Sequence, residues 1–158
     1  MGKFSRALYE GLSVYVRQAA WLNTPTRNQK GETQPTRLER MRKARENEHY
    51  SPEMPPIHPA VRCLVTYLFE VGPVMAGGAG PMAITQGELR CWQDNTRIRL
   101  TPWQARTLRQ LSRDYLTESV TAADSHAFPP WTSETEVAVQ AAADDMRSAM
   151  RRLATKKD

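Results

Sequence analysis

The chain has 158 residues, of which 40% are hydrophobic and 25% are charged, and its formal net charge is +5. This length suits one modest domain with appendages rather than two complete cores, and no apolar run reaches the roughly 18 residues that a membrane span requires. Residues 1–58 hold ten basic and six acidic groups, a bias compatible with an acidic partner but not diagnostic of nucleic-acid binding.

The first predicted element is an amphipathic helix over residues 4–22. Its apolar residues recur at three- and four-residue spacing, whereas its charged residues lie elsewhere. A polar linker over residues 23–35 and a second helix over residues 36–50, which has only a weak apolar face, are expected next. The proline-rich residues 51–59 form a second linker. We therefore expect residues 1–56 to be a helical, flexible and basic arm.

A three-helix core module is predicted over residues 57–120. Its first helix, residues 59–71, carries apolar residues at i, i+3, i+4 and i+7 and is followed by the stop signal Gly72-Pro73. The second and third helices, residues 85–95 and 101–120, each begin with a threonine followed three residues later by Glu or Gln. In such a capping box the two side chains satisfy each other's backbone N–H groups.

A glycine-rich loop, residues 74–83, separates the first two core helices. It lacks the Gly-Lys-Ser/Thr ending of a phosphate-binding loop and follows a helix rather than a strand. The composition therefore favours a flexible turn between packed helices.

Residues 121–158 are predicted to be a linker and a C-terminal amphipathic helix, residues 133–153. One seam of this helix is small and adaptable, because alanines leave room and Met146 and Met150 can change shape. Such a seam can dock on its own core, pair with a second copy or hold a partner's helix. Since no segment indicates a strand, the predicted fold class is all-α: a small three-helix core, an N-terminal helical arm, proline-rich linkers and this final helix.

No group of residues in the sequence indicates a reaction. His49, His58 and His126 lie in unrelated segments without metal-ligand spacing. Cys63 and Cys91 form no C-x-x-C motif and are expected to be buried free thiols, as in a reducing cytoplasm. We therefore expect a non-enzymatic cytoplasmic protein without a metal or cofactor.

Two tryptophans and two methionines are the candidate partner-binding residues. Trp103 falls off the apolar face of its helix, so it either packs on the glycine-rich loop or stands exposed for a partner. Trp92 lies three residues after Leu89, which makes core burial its default role. Met146 and Met150 line the C-terminal seam.

A basic stripe on the last core helix supports an alternative. Arg106, Arg109 and Arg113 follow i, i+3, i+7 spacing after a short preceding helix, as in a helix-turn-helix DNA-binding protein. Base-reading side chains usually lie in the first turn of such a helix, however, and here that turn carries Pro102 and Trp103. A solvated face beside the core face is therefore favoured over a nucleic-acid interface.

Five short motifs within residues 57–120 occur together in one known family. They are an aromatic pair on a helix, a glycine-rich turn ending in proline, an acidic residue before a tryptophan, a Leu-Thr-Pro-Trp helix start and a leucine-rich helix ending in Tyr-Leu. Here they stand as Tyr67 with Phe69, Gly77-Gly78-Ala79-Gly80-Pro81, Glu88-Leu89-Arg90-Cys91-Trp92, Leu100-Thr101-Pro102-Trp103, and residues 108–116.

With these motifs, residues 57 to about 120 resemble the tail assembly chaperones of long-tailed, siphovirus-type bacteriophages. Gln104 departs mildly from the family, which often has Glu at that position. The resemblance implies binding rather than chemistry: such chaperones keep the long helical tape measure protein soluble in the host cytoplasm and bring tail tube subunits to it. Self-association through the C-terminal helix is a further expectation. The remainder of the chain lies outside the resemblance.

Overall fold

The computed structural model describes residues 2–134, 137, 141, 144, 146 and 147. Residues 2–132 form five α-helices and two short antiparallel hairpins, and a 3-10 turn, Pro59–Val61, leads into the third helix. In chain order the elements are α1 (Lys3–Asn23), β1 (Pro25–Arg27), β2 (Thr33–Thr36), α2 (Arg37–Ala44), α3 (Arg62–Val71), β3 (Met75–Gly77), β4 (Gly80–Met82), α4 (Gln86–Thr96) and α5 (Pro102–Ala122).

The predicted all-α class is wrong, because two of the segments expected to be irregular form hairpins and the fold is mixed α and β. In the first hairpin, β1 pairs with β2 across a five-residue loop in which Gly31 has φ +79°. The loop closes locally, since the Asn28 side-chain oxygen accepts from two backbone N–H groups of the loop. The polar composition of this segment therefore gave no indication of a strand pair, although Thr26 in the middle of β1 is completely buried.

The second hairpin is the glycine-rich segment that was expected to be a flexible turn. Gly77 pairs with Gly80, so Gly78-Ala79 is a two-residue loop. Glycine is required here by space and by backbone conformation: a Cβ on Gly77 would lie 2.7 Å from the Gly80 carbonyl oxygen, and Gly80 has φ +125°.

Four helices, not the predicted three, build the hydrophobic core. Leu12 and Val16 of α1 are fully buried with residues of α3, α4 and α5, so α1 belongs to the core rather than to an arm. The other members of the buried cluster are Val61, Leu64, Val65, Leu68, Ile84, Leu89, Leu108 and Leu111.

Polar contacts fix the register of α1 against α5. The Asp114 carboxylate accepts from the Tyr9 hydroxyl at 2.6 Å and from the Ser13 hydroxyl at 2.8 Å. One turn further on, Arg17 donates to Glu118 at 2.8 Å. Burial, followed by the hydrogen bond and charge of Asp114, raises the pKa of the Tyr9 hydroxyl above its usual value. Asp114 and Glu118 therefore face α1 and do not neutralise the arginine stripe of α5.

The predicted helix starts are present with one difference. Thr101 and Gln104 form the complete capping box of α5, whereas Thr85 accepts from the Glu88 N–H without the reciprocal bond. A further capping box, formed by Thr36 and Glu39 at the start of α2, had not been predicted. It starts the helix at Arg37.

The predicted C-terminal helix lies mostly outside the described residues, although the described positions from Ser133 to Arg147 are helical. Both cysteines are free thiols, but Cys91 is exposed and Cys63 half-buried, so the expectation of burial was wrong for Cys91. In the described part of the chain, no helix combines the length and apolar character needed to cross a bilayer.

Candidate partner-binding groove

An apolar groove runs along α5 between the two hairpins. Its lining comes from one face of the C-terminal half of α5, which we call the floor, from the end of α1 with β1–β2, and from Val74 and Pro81 of the second hairpin segment; we call the two hairpin sides its walls. The groove has a volume of about 490 Å³, within the usual range of binding sites. Its lining residues are Asn23, Thr24, Pro25, Arg27, Thr33, Val74, Pro81, Tyr115, Leu116, Ser119, Val120 and Ala123. We call it the α5 groove.

Exposed apolar side chains extend this surface. Val120 in the floor is 73% exposed, although it is a large hydrophobic residue on a well-packed helix. Phe69 is exposed and contacts the lining residue Tyr115 edge to face, with ring centroids 6.1 Å apart. Met82, also exposed, directly follows the lining residue Pro81. Exposed apolar residues gathered around one groove are typical of a protein-binding surface.

One buried hydroxyl holds the β3–β4 wall on α5. Ser112 is completely buried, and its Oγ donates to the Pro73 carbonyl at 2.7 Å and accepts from the Ile84 N–H at 2.9 Å. Pro73 and Ile84 bracket the hairpin, so a single side chain ties both of its ends to the helix that forms the groove floor.

A buried arginine performs the equivalent task for the β1–β2 wall. Arg37, directly after β2, donates to the carbonyl oxygens of Trp21, Ala122 and Asp124, and its guanidinium lies 4.5 Å from the centre of the Trp21 ring. Desolvation by burial lowers the pKa of Arg37 below its usual value. These carbonyls belong to the ends of α1 and α5, where backbone oxygens lack helical partners, so Arg37 fastens the first hairpin to both helices.

The structure places the predicted tryptophans against the core. Trp92 is only 9% exposed and contacts Tyr67 with ring centroids 5.0 Å apart, which leaves it little surface for a partner. Trp103 is half-buried and packs on the core cluster, with its indole nitrogen removed from solvent. Direct partner binding by Trp103 stays a prediction, but neither tryptophan lines the α5 groove.

The predicted arginine stripe is not uniform. Arg106 and Arg113 are exposed, and Arg113 donates to Gln110 on the same helix. Arg109 is half-buried, with its Nε shielded from solvent. The three arginines therefore do not present one continuous set of guanidinium donors.

The C-terminal seam is only partly described. Met146 is 63% exposed, whereas Met150 lies outside the described residues. The three histidines are exposed and far apart in sequence, and in the described ranges no three His, Cys, Asp or Glu side chains gather where they could hold a metal ion.

Sequence reasoning missed the α5 groove because its walls are hairpins. Tyr115 is half-buried and packs against the core cluster as well as lining the groove, and the half-buried Leu116 lines the groove beside it. Two signals pointed to the walls: the Gly-Gly-Ala-Gly run fits a two-residue hairpin loop, and Thr36 with Glu39 fits a helix start. Neither signal indicates that the hairpins would flank α5.

No protein-family model matches this chain, and neither a curated protein nor a solved structure matches it. The functional assignment therefore depends on the motifs of the chain and on the geometry of its surface.

Proposed function

We propose that this chain is a non-enzymatic tail assembly chaperone that holds an apolar helical segment of a phage tape measure protein in the α5 groove. The exposure of Val120 in the floor of an apolar groove is the observation that carries the proposal. The motifs of residues 57–120 support the choice of partner, since they resemble those of such chaperones.

The size of the groove suits a short helical segment. From Tyr115 to Ala123 its floor spans eight residue steps, which corresponds to about 12 Å or two turns of a partner helix. Fully burying one leucine or valine contributes about 1.5–3 kcal/mol. Two or three such side chains contribute roughly 3–9 kcal/mol together, which only slightly exceeds the lower values for the cost of association and so gives the weak, reversible binding that suits a chaperone releasing its client.

The same proposal places the protein in the host cytoplasm, where it would also meet tail tube subunits. Self-association through the C-terminal helix is a further part of the proposal, and Met146 supports it as an exposed apolar residue on that helix.

Co-expression with a tape measure protein would test the proposal, with the soluble fraction of that protein as the measurement. Val120→Asp places a carboxylate in the groove floor and should leave the tape measure protein aggregated. Phe4→Asp is the control, because Phe4 is 69% exposed and lies outside both the groove lining and the C-terminal helix. Equal solubility with both variants would contradict the proposed site.

The partner-binding residues that were predicted from the sequence provide a second set of variants for this experiment. Trp103→Ala and the double change Met146→Ala with Met150→Ala probe the other two candidate surfaces. If only the methionine variant releases the partner, the binding site is the C-terminal seam and not the α5 groove.

A helix-turn-helix DNA-binding regulator is the second candidate, favoured by the exposure of Arg106 and Arg113 on α5. Changing Arg106, Arg109 and Arg113 together to Gln should not affect the solubility of the tape measure protein. Binding to duplex DNA that weakens steeply with salt and disappears in this triple variant would favour the regulator instead.

A further inference from the structure

The lining of the α5 groove carries one charged side chain, Arg27, and no carboxylate. All other lining residues are apolar or neutral. The electrostatic character of the groove therefore depends on where Arg27 sits and on whether the chain itself neutralises it.

The backbone of Arg27 is fixed at the end of the groove where α5 terminates. Its N–H donates to the Ala123 carbonyl at 2.8 Å, and it pairs with Thr33 across the hairpin. The preceding residue, Thr26, is completely buried. Arg27 itself is exposed and belongs to the groove lining, so its charge lies at one rim of the groove.

Polar groups on the two segments that flank Arg27, the end of α5 and the loop of the first hairpin, already have other partners. Arg37 donates to the Ala122 and Asp124 carbonyls, which would otherwise attract a cation at the end of α5. The Asp124 carboxylate bonds to His126, and the Glu32 carboxylate accepts from Asn28. Across residues 2–134, no carboxylate forms an ion pair with Arg27.

We propose that Arg27 makes the α5 groove selective for an apolar helix that carries Asp or Glu beside its apolar stripe, at the end that meets this rim. The inference rests on the proposed function, because it describes the occupant of the same groove. Apolar contacts with the floor supply most of the affinity, while the charge of Arg27 selects among apolar helices and sets their orientation.

Two labelled peptides of about 18 residues would test this selectivity. Both are amphipathic helices with one leucine stripe, and they differ only in the residues flanking that stripe at both ends, which are Glu in one and Lys in the other. Binding is measured by fluorescence anisotropy at low salt. The unmodified protein should bind the Glu peptide about fivefold more tightly, and the difference should shrink as salt is added.

Three variants assign this preference to one residue. Arg27→Gln should bind both peptides alike, and Arg27→Glu should prefer the Lys peptide. Arg106→Glu is the control for net charge, since Arg106 is exposed on the same helix as the floor but lies outside the lining; it should keep the preference for the Glu peptide.

The outcomes separate this inference from the proposed function. If both peptides bind equally to the unmodified protein but Val120→Asp weakens them, the groove binds helices and the role of Arg27 is refuted. A preference that survives in Arg27→Glu refutes it as well. If neither peptide binds the unmodified protein, the proposed function and the inference fail together.

Discussion

Ser112→Ala should destabilise the protein far more than the loss of one hydroxyl from α5 suggests. The side chain is 0% exposed and bonds to the Pro73 carbonyl and the Ile84 N–H. Alanine would leave both backbone groups without a partner at the base of the β3–β4 hairpin. Each buried polar group left unsatisfied costs about 1–3 kcal/mol. With water reaching the less buried Pro73 carbonyl, we expect a loss of about 3 kcal/mol in the free energy of unfolding.

Urea denaturation followed by circular dichroism would measure this change. In a chain of this length the corresponding fall in melting temperature is roughly 6–12 °C. Amide hydrogen exchange adds local information, because the Ile84 N–H should lose protection before the core amides do.

Ser119→Ala is the matched control on the same helix. The Ser119 hydroxyl donates only to the Tyr115 carbonyl one turn earlier, and alanine has the higher helix propensity. Its unfolding free energy should stay within about 0.5 kcal/mol of the unmodified protein. If Ser112→Ala were no more destabilising than Ser119→Ala, Ser112 would not be what ties the hairpin to α5.

Three further predictions concern the other elements around the groove. Gly77→Ala should cost about 1–3 kcal/mol of stability in urea denaturation, because its Cβ would lie 2.7 Å from a backbone oxygen, whereas Gly78→Ala, which meets open space, should be nearly neutral. Arg37→Met should lower the free energy of unfolding by about 3 kcal/mol, because it leaves three carbonyl oxygens without a donor. Arg40→Met, at an exposed position, should change little, and equal effects would show that Arg37 does not fasten the first hairpin to α1 and α5. Folding raises the pKa of the Tyr9 hydroxyl above 10.0, so the stability that this group contributes is complete below the usual tyrosine pKa and is lost as pH rises through the folded value. Tyr9→Phe should therefore flatten the fall in the free energy of unfolding above about pH 10 in urea titrations. An unchanged pH profile would refute this.

The positions of the core helices could be predicted from the sequence. The apolar spacing of residues 59–71 and the threonine starts at Thr85 and Thr101 are local signals, and α3, α4 and α5 begin within a few residues of the expected positions. Local hydrogen bonds and helical periodicity decide these features. The same signals indicated α1, but they could not show that its apolar face packs on α5.

The hairpins could not be predicted with the same information. The segment between α1 and α2 contains prolines and polar residues typical of a linker, yet Thr26 in the middle of β1 is completely buried. A two-stranded hairpin is only marginally stable on its own, so β1–β2 and β3–β4 depend on being held against the helices. Arg37 and Ser112 supply that support through contacts with residues that are distant in sequence.

By itself, the sequence determined the core helices with their threonine starts and supplied the glycines that the β3–β4 hairpin requires. Only the tertiary structure decided which apolar residues of α5 remain exposed. Helical periodicity shows that Tyr115 and Leu116 lie near the core face of α5. It does not show which other elements pack against that face and therefore which of its residues become buried. Because α1 covers one side of α5 and the hairpins stand apart on another, Val120 is left open to solvent, and Arg27 belongs to the lining of the same groove.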